Sequence, residues 1–244
     1  MKPIIQLLFH GGLGNQLFQY CFYKQNFFNK DHKIKFLSNN DHWLKKNNSN
    51  IDKLLNIKIS KLKNNFQSKA FNLLQKKIIF KEINKLNYKN INKNFSRVFI
   101  NGYFQSKNCH NRYYEKLSKE IYENNMKKII SSKIANYCSL AIRRSDFVKL
   151  GWSLNLSYYF ESLKKLKINK KNKIKIVSED IEFANLFSYK LKKMGYNSEV
   201  LKNKSNIQDK SINDFTNLIN SKNLIIANSS FSWWAANIRA VAGF

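Results

Sequence analysis

The chain has 244 residues, 43% of them apolar and 14% aromatic, which is enough to bury a sizeable core and excludes a disordered polymer. Lysine and arginine number 44 against 15 aspartates and glutamates, giving a formal charge of +29. Such an excess attracts phosphate, whether of a nucleic acid, an anionic membrane leaflet or a nucleotide sugar, but the lysines are dispersed and gather on no single motif, which favours a drift towards lysine and asparagine at unconstrained surface positions.

Ile4 to Phe9 is a continuous apolar run, the pattern of a parallel strand buried on both faces. It enters the glycine-rich turn His10-Gly11-Gly12-Leu13-Gly14. Asn15 then opens a helix to about Phe28, with Leu17, Phe18, Cys21, Phe22 and Phe28 inward. Strand, glycine loop and helix make either a tight βα turn or a phosphate site: glycine lets the backbone approach a ligand, and a helix N-terminus offers free N–H groups. The dinucleotide fingerprint is not met, because G-G-L-G-N-Q lacks its third glycine. Ile34 to Leu37 is a second short strand. Residues 40–95 are rich in lysine and asparagine, with a short helix marked by Ile51, Leu54 and Leu55 and a longer one from Phe66 to Phe80. Arg97 to Ile100 is a strand, followed by Asn101-Gly102-Tyr103-Phe104-Gln105-Ser106. That turn is either a wall of a ligand cleft or an aromatic strand end packed on the core. A helix follows from Ser106 to Glu123.

A second series starts at Met126 with a helix to about Ala135 and a strand from Tyr137 to Ile142. The strand stops at Arg143-Arg144-Ser145-Asp146. Ser157 to Ile168 is a helix with Tyr159, Phe160, Leu163 and Leu166 on one side. Lys173 to Val177 is a strand ending in Ser178-Glu179-Asp180, and Ile181 to Met194 is a helix closed by Gly195. Asn197 to Leu201 is a strand, and Ser211 to Ser221 a helix with Ile212, Phe215, Leu218 and Ile219 inward. Leu224 to Ala227 is a strand, and Ser230 starts the last helix. Strands alternating with helices give a parallel α/β sheet, and two such series predict two Rossmann-like domains facing a cleft. Ligands of open α/β sheets sit outside the carboxyl ends of the strands. Two guanidiniums there form a rigid, charged donor set suited to a diphosphate; the competing reading is a solvated arginine pair bridged to Asp146.

Three stretches together resemble the α-1,2-fucosyltransferases of glycosyltransferase family 11. They are His10-Gly11-Gly12-Leu13-Gly14-Asn15-Gln16-Leu17-Phe18-Gln19-Tyr20, the stretch Ala141 to Phe147, and Asn228-Ser229-Ser230-Phe231-Ser232-Trp233-Trp234-Ala235-Ala236. The family's signatures are GGLGNQ-hydrophobic-FQY, H-x-R-R-G-D-Y and N-S-S-F-S-W-W-[GA]-A. The central one is altered here: Ala141 stands for the usual His, Ser145 for the Gly and Phe147 for the Tyr. The family also continues with another strand and helix after W-W-A-A, so the C-terminal end reads as shortened.

The resemblance implies the GT-B architecture: residues 1–125 form an acceptor-side domain and 126–244 a GDP-fucose-binding domain. The variable 40–95 region would touch the acceptor. Asn15 and Gln16 would face the cleft near the donor, supported by Gly12 and Gly14. Arg143 would hold the β-phosphate, with Arg144 beside it or structural. Asp180, or Glu179, would accept from guanine; otherwise Asp180 caps its helix. Ser229, Ser230 and Phe231 would line the donor pocket while the tryptophans pack, and the serines can equally cap the last helix. Asp214 would support the site or cap its own helix. Asp146 is a candidate catalytic base, but pairing with either arginine would weaken it.

The implied activity is inverting transfer of L-fucose from GDP-fucose to the 2-hydroxyl of a galactose-terminated glycan, lipid-linked or free, in cell-surface glycan synthesis. No cofactor and no metal are expected, as no D-x-D occurs. The alternatives are a related GDP-sugar transferase, an inactive paralogue, and a basic nucleic-acid-binding protein. The last lacks any recognition motif, so no nucleic-acid partner is expected. Cys21, Cys109 and Cys138 lack C-x-x-C spacing and fit free thiols in a reducing compartment. The Ile4–Phe9 run is too short for a signal-peptide core, and no stretch nears the roughly 18 apolar residues of a membrane span. The expected location is the cytoplasm, with peripheral contact at the inner face of the plasma membrane.

Overall fold

A computed structural model describes residues 2, 4–28, 31–38, 51–61, 97–106, 113–127, 135–201 and 207–243. The chain divides into two compact units, Met1–Leu117 and Ser118–Phe244.

In the first unit, β1 (Ile4–Phe9), β2 (Lys33–Ser38), β3 (Ile59–Lys61) and β4 (Arg97–Ile100) form a parallel sheet in the order β3-β2-β1-β4. β1 is buried because its apolar run is flanked on both sides by paired strands, and Ile5, Leu7, Leu8 and Phe9 lie in the core. The helix α1 (Leu13–Phe27) starts two residues before Asn15 and is buried around most of its circumference. Leu17, Phe18, Cys21 and Phe22 pack inward as expected, but Phe27 is buried in place of Phe28, which is exposed with the Lys24 ammonium 3.5 Å above its ring. α2 (Ile51–Leu55) buries Ile51 and Leu54. β3 had no strand signal of its own; three residues pair in register with Phe36–Ser38. α3 (Tyr113–Ile121) continues into a π-helical turn, Tyr122–Met126. The longer helix expected at Phe66–Phe80, the first turn of the Ser106 helix and the helix before Ala135 lie outside the described residues, as does Cys109.

The second unit repeats the arrangement. β5 (Ala135–Ile142), β6 (Lys173–Ser178), β7 (Asn197–Val200) and β8 (Ser221–Ile225) form a parallel sheet in the order β7-β6-β5-β8. Among the described residues, α4 (Ser145–Lys149), α5 (Leu156–Lys165), α6 (Ile181–Lys193) and α7 (Ile207–Ile219) lie between the strands, and α8 (Ser230–Val241) follows β8. On one face of β5, Cys138, Leu140 and Ile142 pack with Tyr159, Leu163, Phe187 and Leu191 from α5 and α6. On the other, the Tyr137 and Ser139 hydroxyls both donate to the Asn217 carbonyl of α7. Leu166 is exposed, contrary to its place on the inward stripe. α5 has ended by then, and Lys167, at φ +49°, turns the chain so that Ile168 enters the core instead. β8 begins at Ser221, three residues early, because pairing with β5 fixes its register rather than its own apolar content.

In both sheets the chain lays three strands to one side and then returns to add the fourth at the other. The order therefore reverses between β1 and β4, and again between β5 and β8. In open α/β sheets such a reversal leaves a crevice at the carboxyl ends of the two strands, where ligands bind.

Candidate active site

The β5–β8 reversal carries the double arginine. Arg143 follows the last residue of β5, with its side chain 27% exposed. Its Nη2 donates to Asp146 Oδ1 at 2.5 Å, and its Nη1 lies 3.6 Å from Glu179 Oε1. The one-turn helix α4 places Asp146 three residues on, facing back towards the guanidinium. The guanidinium also lies 5.3 Å from the centre of the Phe147 ring, which meets Trp152 edge-on.

Arg144 is pinned more fully. Its backbone N–H donates to Glu179 Oε1 at 2.6 Å, and its Nη1 donates to Ser153 Oγ at 3.3 Å. Its Nε lies 3.5 Å from Asp180 Oδ2, and the guanidinium stacks 3.9 Å from the centre of the Phe183 ring. Arg144 thus ties the end of β5 to the start of α6, which is a structural role. Asp180 caps α6: its Oδ1 accepts the Phe183 N–H at 3.0 Å, and its own N–H donates to Ser178 Oγ. Of the two readings for Asp180, the cap is the one formed here. Two guanidiniums thus meet three carboxylates, Asp146, Glu179 and Asp180. Among the described residues no group of three or more His, Cys, Asp and Glu is placed to hold a metal ion.

Across the reversal, the turn after β8 carries the serines. Ser229 caps α8, its Oγ accepting the Ser232 N–H at 3.2 Å and meeting Ser232 Oγ at 2.9 Å. Ser232 Oγ in turn donates to the Ala227 carbonyl. Ser230 and Phe231 are half-buried in the first turn, with Phe231 5.1 Å from Phe215 centre to centre, so Phe231 is only partly a core residue. Trp234 is fully buried and packs edge-on to Trp233. The two strand ends are linked through the 151–158 segment: Asn228 Nδ2 donates to the Trp152 carbonyl, and the Tyr158 hydroxyl donates to the Ile226 carbonyl. Asp214 sits inside α7, seven residues after its start, so it does not cap that helix.

Ala141, where the family has His, is buried, and the Tyr159 hydroxyl donates to its carbonyl at 3.3 Å. Burial pushes the Tyr159 phenol up, with the negative charge of Glu179 adding to the effect, and so holds it protonated. Burial also pushes the Cys138 thiol up to about 12, against the opposing pull of Arg239. The buried phenol and thiol beside β5 are therefore not bases at neutral pH.

The β1–β4 reversal holds the glycine loop. Gly11 has φ +67°, and a Cβ there would lie 2.5 Å from Asn15 Nδ2, so both backbone and space demand glycine. A Cβ on Gly12 would meet nothing within 4 Å, which leaves the loop open there. Gly14 is buried in the first turn of α1. Asn15 Oδ1 accepts from Gln105 Nε2 at 2.7 Å. Gln16 corrects its expected role: it is 0% exposed, and its Nε2 donates to the Gly11 carbonyl at 2.8 Å. It braces the loop from beneath instead of facing a cleft.

Several residues of these sites went unassigned in the sequence. Gln19 holds the His10 backbone on both sides, Oε1 accepting its N–H at 3.0 Å and Nε2 donating to its carbonyl at 3.5 Å. His10 Nε2 is hydrogen-bonded to Asn101 Oδ1. The Asn101-to-Gln105 turn therefore lies against the glycine loop, with buried Phe104 stacked on Phe22 at 4.0 Å and Tyr103 turned outward. The available signal was polar: Gln16 and Gln19 lie three apart on a helix buried nearly all round, where glutamine needs a partner. Ser153 and Phe183, which hold Arg144, carry no comparable signal.

No curated protein matches the chain. Among solved structures, POFUT1 in complex with GDP is similar at 8% identity and a TM-score of 0.51, over 98% of this chain and 94% of that one. NodZ alpha-1,6-fucosyltransferase, co-crystallised with GDP, is similar at 9% identity and a TM-score of 0.52, over 97% of this chain and 92% of that one. At such low identity these likenesses speak to the fold, which is GT-B-like and α/β with two parallel sheets. The model of glycosyl transferase family 11 matches residues 10–243, a span that contains all three motifs, and the chain belongs to that family.

Proposed function

We propose that the chain is an inverting glycosyltransferase that moves L-fucose from GDP-fucose to the 2-hydroxyl of a galactose-terminated glycan. The observation that carries the reading is Arg143, half-buried at the carboxyl end of β5 where the strand order of its sheet reverses. Family membership supports fucosyl transfer, and two proteins of similar fold were crystallised with GDP. In this reading residues 1–125 serve the acceptor and 126–244 the donor.

A guanidinium has five N–H donors, and Asp146 and Glu179 engage only part of that fork. The remainder is available to β-phosphate oxygens. The acceptor oxygen attacks C1 of fucose opposite the diphosphate, the C1–O bond breaks, and its electron pair leaves with GDP. The charge that grows on GDP is met by Arg143 and by the backbone N–H groups of Ser230 and Phe231 at the start of α8. Asp180 Oδ2 and Glu179 serve guanine, while Gly12, Gly14 and Asn15 line the sugar side. Asp146 steadies Arg143. Asp214 supports the site from α7. No divalent ion takes part.

In this reading the enzyme is cytoplasmic, and its +29 charge would draw it to an anionic leaflet, where a lipid-linked acceptor would be met. The altered positions Ala141, Ser145 and Phe147 favour one rival, an inactive paralogue. Turnover decides between them. The purified chain should consume GDP-fucose with lactose as acceptor, and NMR of the product should show an α linkage at the galactose 2-position. Unconsumed GDP-fucose would support the inactive paralogue, and a different linkage the related transferase.

A further inference from the structure

In the second sheet β6 and β8 pair with opposite edges of β5, so Arg143, at the end of β5, has two flanks. Glu179 and Asp180, given to guanine in the proposed donor site, directly follow β6. The β8 flank carries a different surface. Asn228, in the turn after β8, donates from Nδ2 to the Trp152 carbonyl at 2.9 Å. The Trp152 ring meets the Phe147 ring edge-on at 5.7 Å, and the Phe147 ring lies 5.3 Å from the Arg143 guanidinium. A diphosphate held by Arg143, with its base on the β6 flank, carries its sugar towards the β8 flank, where Trp152 stands.

Trp152 is 58% exposed, and Val148 and Leu150 before it are exposed as well. An apolar patch left open at the rim of a ligand crevice marks a contact surface. The end of α4 explains part of the arrangement. Gly151, at φ +70°, donates to the Val148 carbonyl at 3.2 Å, and the Trp152 N–H donates to the Phe147 carbonyl at 2.8 Å. That is a Schellman ending, which commonly brings an apolar contact between the two residues that Trp152 and Phe147 occupy. It does not account for Asn228, which reaches in from the far side of the sheet's reversal. Nor does it account for Ser153, whose N–H also meets the Phe147 carbonyl and whose Oγ accepts from Arg144 Nη1. The segment is tied to both strand ends, yet more than half of the indole faces solvent. Holding a large ring still costs conformational freedom that its own burial does not repay. A ligand laid on the ring does repay it.

We propose that Trp152 is the platform for the fucose ring of GDP-fucose, and that Asn228 is the residue that positions it. The proposal rests on the fucosyl-transfer reading. Fucose is a deoxy sugar: it carries a methyl group in place of a hydroxymethyl, and one face of its ring is lined by C–H groups. An indole offers a broad apolar surface whose negative face attracts such C–H groups. Val148 and Leu150 extend the apolar rim towards the methyl. Asn228 opens the Asn228-to-Ala236 motif and has no part in capping α8, which falls to Ser229. Its hydrogen bond to the Trp152 carbonyl gives it one: it fixes the platform relative to Arg143 and so the direction in which C1 of fucose is presented.

The test is calorimetric titration of the full chain with GDP and with GDP-fucose, without acceptor, in wild type, Trp152→Ala, Trp152→Phe and Asn228→Ala. Trp152→Ala is expected to weaken GDP-fucose by about five- to tenfold, the worth of one aromatic contact, while GDP stays within about twofold of wild type. Trp152→Phe, which keeps a ring, should recover most of the loss. Asn228→Ala should show the same split between the two ligands, to a smaller extent. Equal weakening of GDP and GDP-fucose by Trp152→Ala would give the indole to the nucleotide or to the scaffold and overturn the proposal. Unchanged GDP-fucose affinity would overturn it too, and a raised KM for lactose in that variant would assign the ring to the acceptor. Unchanged GDP-fucose affinity in Asn228→Ala would overturn the positioning role. If Trp152→Ala fails to fold, Trp152→Leu, which keeps apolar bulk against Phe147, carries the same criterion. A wild-type chain that binds neither ligand sinks the fucosyl-transfer reading and this proposal together; wild type and Trp152→Ala binding both ligands alike sinks this proposal alone.

Discussion

Arg143 and Arg144 are adjacent and chemically identical, yet they do different things. Arg144 is held by a backbone contact, Ser153, Asp180 and the Phe183 ring, while Arg143 meets carboxylates at two of its nitrogens. Arg143→Ala is expected to lower kcat/KM by at least roughly 10²-fold, because the lost contact strengthens as GDP departs. Arg143→Lys should recover little of it, since a point charge cannot reproduce the fork. Both would be read in steady-state assays over a range of GDP-fucose. If Arg143 were only a solvated partner of Asp146, turnover would stay near wild type and stability would change by under about 1 kcal/mol. The sequence made Arg143 legible through its place after an apolar strand. It left the split between the two arginines unread, because Ser153 and Phe183 lie on elements whose approach is a matter of tertiary packing. The same holds for Gln16. Its motif marked it as important, but only the buried surface of α1 shows that it works from beneath the loop.

At the scale of elements, the strand–loop–helix units were read from apolar periodicity and turn residues, and most lie within a residue or two of their expected ends. The strand misses share a cause. β3 and the start of β8 owe their strand conformation to a neighbour's ladder rather than to their own side chains. α4 is a single turn that follows from the double arginine and had no periodicity to display. The strand order, and with it the reversal that puts the Asn101 turn against the glycine loop, follows from long-range pairing that no local pattern encodes. The glycine loop offers a direct check. Gly11→Ala would force a non-glycine residue to φ +67° and drive its Cβ into Asn15. It is expected to cost about 1–2 kcal/mol from the left-handed backbone alone. It should also lower turnover if, as proposed, Asn15 lines the donor site, because the added Cβ would displace the Asn15 side chain. Urea unfolding and a kcat measurement on the variant would check both, and a loss confined to stability would separate the loop from catalysis.

For the whole molecule, the central matter is what the +29 charge and the second sheet's reversal are for. Activity is expected to survive EDTA if, as proposed, Arg143 and the α8 N-terminus meet the charge of the departing GDP. Complete loss on chelation, restored by Mg²⁺ or Mn²⁺, would contradict that. A basic surface also attracts any polyanion, so a nucleotide site must be told apart from general phosphate attraction. The most direct measurement is the melting temperature of wild type and Arg143→Ala with GDP, and with an oligonucleotide at matched phosphate concentration. At a GDP concentration of 100 times its dissociation constant, binding adds about 2.7 kcal/mol and should raise the wild-type melting point by about 5–11 °C. The account predicts that rise for wild type with GDP, little or none for Arg143→Ala, and none with the oligonucleotide. An equal rise in both proteins, or a rise with the oligonucleotide and not with GDP, would contradict it.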